Sequence, residues 1–139
     1  QKKFSYKNSA DAALNIASKV IELCSNKKAA HMGGALSITD FLSVYYSFFH
    51  APQSSSLFYS KGHACTALYA ALGYFGFFDL KDLDSYSDNG SIFTSHVSHH
   101  VPGVELSTGS LGHALSVASG VSYAKKIALS TKQENDEST

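Results

Sequence analysis

Residues 60–64 read Ser-Lys-Gly-His-Ala, and they stand between a short apolar segment and a helical pattern. Leu57-Phe58-Tyr59 comes directly before them and is typical of a brief buried strand, because it is apolar and aromatic. From His63 to Phe75, small and apolar residues recur at helical spacing. We therefore predict a strand, a glycine-containing loop and a helix. Because one strand cannot form a sheet alone, the other strands are expected in sequence beyond this chain.

Two other segments also combine glycine with histidine just before a predicted helix. Residues 31–34 read His-Met-Gly-Gly, and residues 108–113 read Thr-Gly-Ser-Leu-Gly-His. Unpaired N–H groups at a helix N-terminus attract anions, and glycine lets a ligand approach the backbone closely. Each segment by itself is more typical of an ordinary turn than of a binding site. In combination, the three segments predict a site for an anionic ligand such as a diphosphate.

The spacing of apolar residues predicts four more helices, over residues 9–25, 37–49, 80–86 and 111–128. In the first of them, the residues at helical spacing are Ala10, Ala13, Leu14, Ala17, Ile21 and Cys24. Ser37 and Asp40 form a capping box at the start of the second, and Asp79 caps the third. The fourth presents small residues, which are suited to close packing.

The remaining segments lack a clear periodicity. Residues 87–110 are predicted to be irregular, and so long a loop inside a compact domain is more often functional than not. Residues 130–139 contain no apolar side chain and are predicted to be a polar tail or loop. No internal repeat and no second domain are visible in the sequence.

Composition excludes several classes of function. Eleven basic residues balance eleven acidic ones, so nucleic acid is not an expected partner. No apolar run approaches the roughly 18 residues that a membrane span requires. The two cysteines, Cys24 and Cys65, are far apart in sequence, and we expect buried, reduced thiols in a cytoplasmic protein.

Histidine is abundant, with seven residues in 139. Four lie in the glycine-containing loops or in the long irregular segment: His31, His63, His96 and His100. Imidazole suits both phosphate binding and proton transfer near neutral pH. We do not interpret the histidines of residues 96–100 as a zinc site, because no cysteine or carboxylate stands at ligand spacing beside them. The sequence also lacks the GxSxG, Walker A and GxGxxG motifs.

Taken in order, these segments resemble the amino-terminal part of transketolase. The family's His-x-Gly-Gly-x-Leu-Ser and following Asp match residues 31–37 and Asp40, and its Ser-Lys-Gly-His-Ala matches residues 60–64. Its Pro-Gly-Val-Glu and Ser-Thr-Gly-Ser-Leu-Gly match residues 102–105 and 107–112. The similarity spans residues 9–128. His113 departs from the family, which often has glutamine there.

The resemblance implies the α/β thiamine-diphosphate-binding fold, a doubly wound parallel sheet with helices on both faces. Residues 1–139 would form only the helix-rich amino-terminal portion of that domain. The family's Gly-Asp-Gly motif, which binds Mg²⁺, is expected past Thr139, and the glutamate that activates the cofactor lies in the family's second domain. The segment alone is therefore expected to be inactive.

The resemblance also implies roles for individual residues. His63 resembles the histidine that contacts the cofactor diphosphate. Gly109 and Leu111 resemble the pair beside the aminopyrimidine ring, with the Gly109 carbonyl accepting its amino group. His31 and His96 resemble active-site histidines that bind the sugar substrate and assist proton transfer.

The reaction implied is the transfer of a two-carbon ketol unit between sugar phosphates, with thiamine diphosphate as the electron sink. The expected partners are sugar phosphates and either a second copy of the protein or a chain that carries the second domain. Two alternatives stay open. One is a related thiamine-diphosphate synthase that uses another donor, and the other is a non-catalytic paralogue or interaction module.

Overall fold

The computed structural model describes residues 6–27, 31–51 and 55–137, with side chains described from residue 8 to residue 131 within those ranges. The α-helices of this described part are α1 (Tyr6–Asn26), α2 (Met32–Leu36), α3 (Thr39–Val44), α4 (Cys65–Tyr74) and α5 (His113–Glu137). A π-helical turn, Tyr45–Phe49, continues α3. Two 3₁₀ helices span Gly62–Ala64 and Leu80–Ser85.

Helix α4 is the centre of the core. Every residue from Cys65 to Gly73 is buried, and α1, α2 and α3 pack around it. Its side chains are mostly alanine and leucine, so neighbouring helices can approach closely on all sides. The 3₁₀ helix Leu80–Ser85 covers its carboxyl end, and its start is capped as predicted, since Asp79 Oδ1 accepts a hydrogen bond from Lys81 N at 3.0 Å.

Helix α1 confirms the predicted helix but buries a different stripe. Its buried side chains are Ser9, Ala12, Ile16, Val20, Leu23 and Cys24. Leu14 and Ile21, which the sequence pattern placed on the apolar face, are 69% and 49% exposed. Helix α1 has two apolar stripes about one residue apart, and one of them is buried. The stripe that contains Ile16 and Val20 faces the core formed with α3 and α4.

The two cysteines are buried and free, as predicted. Burial raises the pKa of the Cys65 thiol, against a weaker opposing effect of its contact with the Tyr86 hydroxyl at 3.6 Å. A buried thiol that stays protonated reacts slowly with electrophiles. Both residues therefore act as small apolar side chains of the core.

Two local predictions were wrong. Residues 57–59 form no strand within the described ranges, because their backbone groups make no ladder of hydrogen bonds with another segment there. Ser37 does not cap α3, whose N-cap is Ile38. The backbone of Ser37 still has helical dihedral angles at the end of α2. The Ser37 hydroxyl therefore donates to the Gly34 carbonyl at 2.9 Å. The doubly wound parallel sheet stays a prediction.

The end of the chain also differs from expectation. Residues 130–137, predicted as a polar tail or loop, continue α5, because no glycine or proline interrupts them and lysine, glutamine and glutamate favour helix. The predicted face of small residues is largely uncovered, with Ala114 buried and Ala124 and Ala128 exposed. No helix of the described residues combines the length and apolar character needed to cross a membrane.

Candidate functional site

The long irregular segment is fastened to the Ser-Lys-Gly-His loop by hydrogen bonds. Val97 N donates to Gly62 O at 3.2 Å, and Thr108 N donates to Val97 O at 3.1 Å, which makes an isolated antiparallel bridge. The Thr108 hydroxyl donates to Tyr59 O at 2.8 Å. Segments that are distant in sequence therefore meet at Gly62.

Glycine is required at position 62 by this contact. A Cβ atom there would lie 2.2 Å from the carbonyl oxygen of Thr108 and 2.6 Å from its carbonyl carbon. Carbon atoms in proteins do not approach backbone atoms so closely, and both neighbours are main chain rather than flexible side chain. The close approach of the two loops therefore depends on the missing side chain.

Three of the predicted site histidines converge at this junction. The ring centroids of His31 and His63 are 4.9 Å apart, and those of His63 and His96 are 4.7 Å apart. His63 lies between the other two, although the three residues come from separate parts of the chain. We call His31, His63 and His96 the histidine cluster.

His31 has a strained backbone. Its φ is 70° and its ψ is 23°, in the left-handed region that residues other than glycine seldom adopt. This conformation precedes α2 directly and puts the ring beside His63. Strained backbone of this kind is found more often at functional sites than elsewhere.

Tyr69 holds the backbone of His96 in place. Its hydroxyl donates to His96 O at 2.7 Å and accepts from Ser98 N at 3.1 Å. Burial raises the pKa of Tyr69 far above its usual range, so the phenol stays protonated and can donate. Sequence reasoning missed this residue. The available signal was a tyrosine within a helix of alanine and leucine, since a buried phenol needs a hydrogen-bond partner.

The histidine cluster borders a cleft of about 310 Å³. The residues that line it are His31, Gly34, Lys61, His63, Ala64 and Leu111. Gly109 lies beside the cluster, since a Cβ atom there would be 3.4 Å from His96 Cδ2. The structure thus brings together all five predicted site residues: His31, His63, His96, Gly109 and Leu111. Their individual roles stay predictions.

One ring nitrogen beside the cleft has no partner among the described residues. His63 Nδ1 is buried and has no hydrogen-bond partner in the described part of the protein. Buried ring nitrogens normally have a partner, so this atom is suited to a polar group of a bound molecule. Within the described ranges, no group of three or more histidine, cysteine or carboxylate side chains is arranged to hold a metal ion.

A wider cleft of about 690 Å³ lies elsewhere, between the 3₁₀ helix Leu80–Ser85 and residues 88–93. It contains none of the predicted site residues. Its lining includes Phe78 and Phe93, whose ring centroids are 5.0 Å apart, together with several aspartate and serine residues. Size alone does not make it a site, and the smaller cleft is the one lined by the predicted site residues His31, His63 and Leu111.

Comparison with known proteins identifies the family of this chain. Residues 9–139 match the family described as transketolase, thiamine diphosphate binding domain. The chain is 35% identical over 117 residues to an apulose-4-phosphate transketolase subunit from Phocaeicola vulgatus, covering 78% of this chain and 42% of that protein. It is 36% identical over 106 residues to a 6-deoxy-6-sulfo-D-fructose transketolase subunit from a Clostridium species, covering 70% and 38%.

A relative named simply transketolase is also similar to this chain. The transketolase of Treponema pallidum is 31% identical over 135 residues, which is 90% of this chain and 20% of that protein. The chain thus spans less than half the length of each of these relatives. With the family match covering nearly all of its residues, the chain belongs to the transketolase family, in its thiamine-diphosphate-binding domain.

Proposed function

We propose that this chain supplies the diphosphate-binding part of an enzyme that transfers a two-carbon ketol unit between sugar phosphates. The observation that carries the proposal is the convergence of His31, His63 and His96 beside one cleft. Imidazole rings can neutralise anionic oxygens and relay protons near neutral pH. Strained backbone at His31 is more typical of a functional site than of a paralogue that has lost its ligand.

The proposed cofactor is thiamine diphosphate, which supplies an electron sink for carbon–carbon bond cleavage when bound. His63 would donate to or accept from the diphosphate through the ring nitrogen that lacks a protein partner. Gly109 and Leu111 would lie against the aminopyrimidine ring, where the absence of a side chain at Gly109 lets the ring approach the backbone. Mg²⁺ would neutralise part of the diphosphate charge, through ligands beyond the residues of this chain.

His31 and His96 would face the sugar. Both side chains are exposed at the edge of the cluster, where a substrate could reach them, while His63 is half-buried between them. We propose that these two histidines hydrogen-bond the sugar hydroxyls and move protons as the ketol unit is transferred. The Tyr69 hydrogen bond would keep His96 at a fixed distance from the substrate.

The complete protein would contain the doubly wound parallel sheet, and the largely exposed α5 would be one of its covering helices. The relatives named as subunits support a partner chain that carries the second domain, and a homodimer is the other arrangement that we propose. The reduced, buried thiols support a cytoplasmic location.

The activity is tested with the complete gene product and its partner chain. We expect thiamine-diphosphate-dependent transfer of a ketol unit from a ketose phosphate to an aldose phosphate, followed by the appearance of both products. Absence of transfer with every ketose phosphate, in protein that binds the cofactor, would favour the second candidate. That candidate is a related synthase with another donor, and the relative named for a sulfo-sugar supports including such donors in the screen.

Replacing His63 by alanine is expected to weaken thiamine diphosphate binding by about 1–3 kcal/mol, typical of a lost hydrogen bond to a charged group. The free energy of unfolding without cofactor should change much less, because Nδ1 bonds to no described group of the protein. Calorimetric titration in the presence of Mg²⁺ measures the first quantity, and denaturant unfolding the second. His100→Ala is the matched control, and equal affinities for wild type and His63→Ala would refute the assignment.

Replacing Gly109 by valine is expected to weaken cofactor binding by about 10- to 100-fold, because side-chain atoms would fill the space for the ring and press on His96. The fold should stay intact, since the residue lies in an exposed loop. Circular dichroism checks the fold, and the dissociation constant of thiamine diphosphate checks the site. A variant that binds the cofactor normally would show that the aminopyrimidine does not lie here.

A further inference from the structure

Lys61 extends its side chain across the cleft from the Ser-Lys-Gly-His loop to α2. Its Nζ lies 2.7 Å from Ser37 Oγ, and its Cε lies 3.8 Å from the position that a Cβ atom would have at Gly34. The side chain is half-buried and forms part of the lining next to His31 and His63. The loop therefore places an ammonium group at the wall of the cleft.

This ammonium has no acidic partner among the described residues. Lys19 and Lys27, in contrast, form ion pairs with carboxylates at distances of 2.8 and 2.6 Å. Lys61 bonds to a neutral hydroxyl, and that hydroxyl already donates its own hydrogen to the Gly34 carbonyl. Of the three N–H groups of the ammonium, one is thus satisfied by Ser37, and the others are available to a ligand.

A cation without a counter-ion in a partly dehydrated cleft favours an anion there, because the attraction is screened less than at an open surface. His63, whose Nδ1 has no partner in the described part of the protein, lines the same cleft and could contact the same ligand. Lys61 precedes His63 by two residues, so one short loop presents both groups. Phosphate-type oxygens, which accept several charge-assisted hydrogen bonds, fit such a pair.

We propose that Lys61 binds a phosphate-type oxygen of the ligand in the cleft beside the histidine cluster. The identity of that ligand rests on the proposed function. The absence of an acidic partner for Lys61 within the described ranges is independent of it. Two sources share this chemistry, namely the diphosphate of the cofactor and the phosphoryl group of the sugar. Ser37 would hold the ammonium at the wall in the absence of ligand, so Lys61 would be ordered before binding.

The test uses the complete protein with its partner chain. Lys61→Gln removes the charge and keeps an amide that can reach Ser37, and Lys61→Arg keeps the charge. We expect Lys61→Gln to raise either the calorimetric dissociation constant of thiamine diphosphate or the KM of a phosphorylated ketose by about 10- to 100-fold. Lys61→Arg should stay within about threefold of wild type, since charge rather than shape is proposed to matter.

The pattern of effects identifies the source of the phosphate. A changed dissociation constant assigns Lys61 to the cofactor, and a changed KM for the phosphorylated but not for an unphosphorylated ketose assigns it to the sugar. Ser37→Ala tests whether Lys61 acts only through its contact with Ser37. This variant removes the hydroxyl that accepts from Lys61 and leaves the charge of Lys61 in place. The proposal is overturned if Lys61→Gln changes neither quantity, or if Ser37→Ala has the same effect as Lys61→Gln.

A separate binding experiment tests the anion site if the proposed activity is not found. If the wild type transfers no ketol unit, the dissociation constant of inorganic pyrophosphate is compared for wild type, Lys61→Gln and the surface control Lys81→Gln. Weaker binding in Lys61→Gln alone supports the anion site without transketolase activity. Equal binding in all three proteins overturns it.

Discussion

Replacing His31 or His96 by alanine is expected to lower the turnover of the complete enzyme by about 10²- to 10⁴-fold, the usual contribution of a general acid or base. Both rings contact His63, at 4.9 and 4.7 Å between centroids, yet both are exposed and thus accessible to a substrate. The loss should therefore appear in kcat. The dissociation constant of thiamine diphosphate should change less than about threefold, a shift of well under 1.4 kcal/mol.

The control for this experiment is His100→Ala, which removes an exposed histidine of the same irregular segment that does not line the cleft. It should keep normal turnover. Steady-state kinetics with saturating cofactor give kcat for the three variants, and calorimetry gives their affinities. A His31 or His96 variant with normal turnover on the correct donor would mean that this histidine takes no part in the reaction.

Replacing Gly62 by alanine is expected to destabilise the protein by about 2–4 kcal/mol. The added Cβ would lie 2.2 Å from Thr108 O, so the two loops must separate. Overpacking costs about 1–3 kcal/mol, and losing the hydrogen bond from Val97 N to Gly62 O costs about 0.5–1.5 kcal/mol more. Because His96 and Gly109 flank these contacts, cofactor affinity should fall together with stability.

Gly33→Ala is the matched control for Gly62→Ala. It lies in α2, its Cβ would meet no atom within 4 Å, and its φ is not positive. Alanine should there be neutral, or stabilising by about 0.4–1 kcal/mol through the unfolded state. Denaturant unfolding of both variants measures the difference. A Gly62→Ala protein as stable as Gly33→Ala would show that the two loops do not pack as described.

The helices of this chain could be predicted because their signals are local. Apolar periodicity located α1 and α4 to within a few residues, and Asp79 was recognised as a cap. The buried stripe of α1 could not be predicted, since Leu14 and Val20 are similarly apolar and only the position of α3 and α4 selects between them. The end of α5 was missed because polarity was interpreted as a loop, although its residues favour helix.

The candidate site was predictable as a set of residues but not as an arrangement. The motifs supplied His31, His63, His96, Gly109 and Leu111, which the fold brings together. Lys61 and Tyr69 could not be assigned from their spacing. Their importance comes from contacts with Ser37 and His96, which are 24 and 27 positions away, and such contacts depend on tertiary structure.

The bridge between Val97 and Thr108 also offers a way to time the opening of the site. The amide hydrogens of both residues are bonded, one to Gly62 O and one across the bridge, and they can exchange with solvent only when this segment lifts away. Their exchange rates in heavy water therefore report the fraction of molecules in which His96 has left His63. A ligand that contacts both rings should slow hydrogen exchange at these two amides more than at others. The exchange rate should fall by the factor by which ligand binding lowers the population of the open segment.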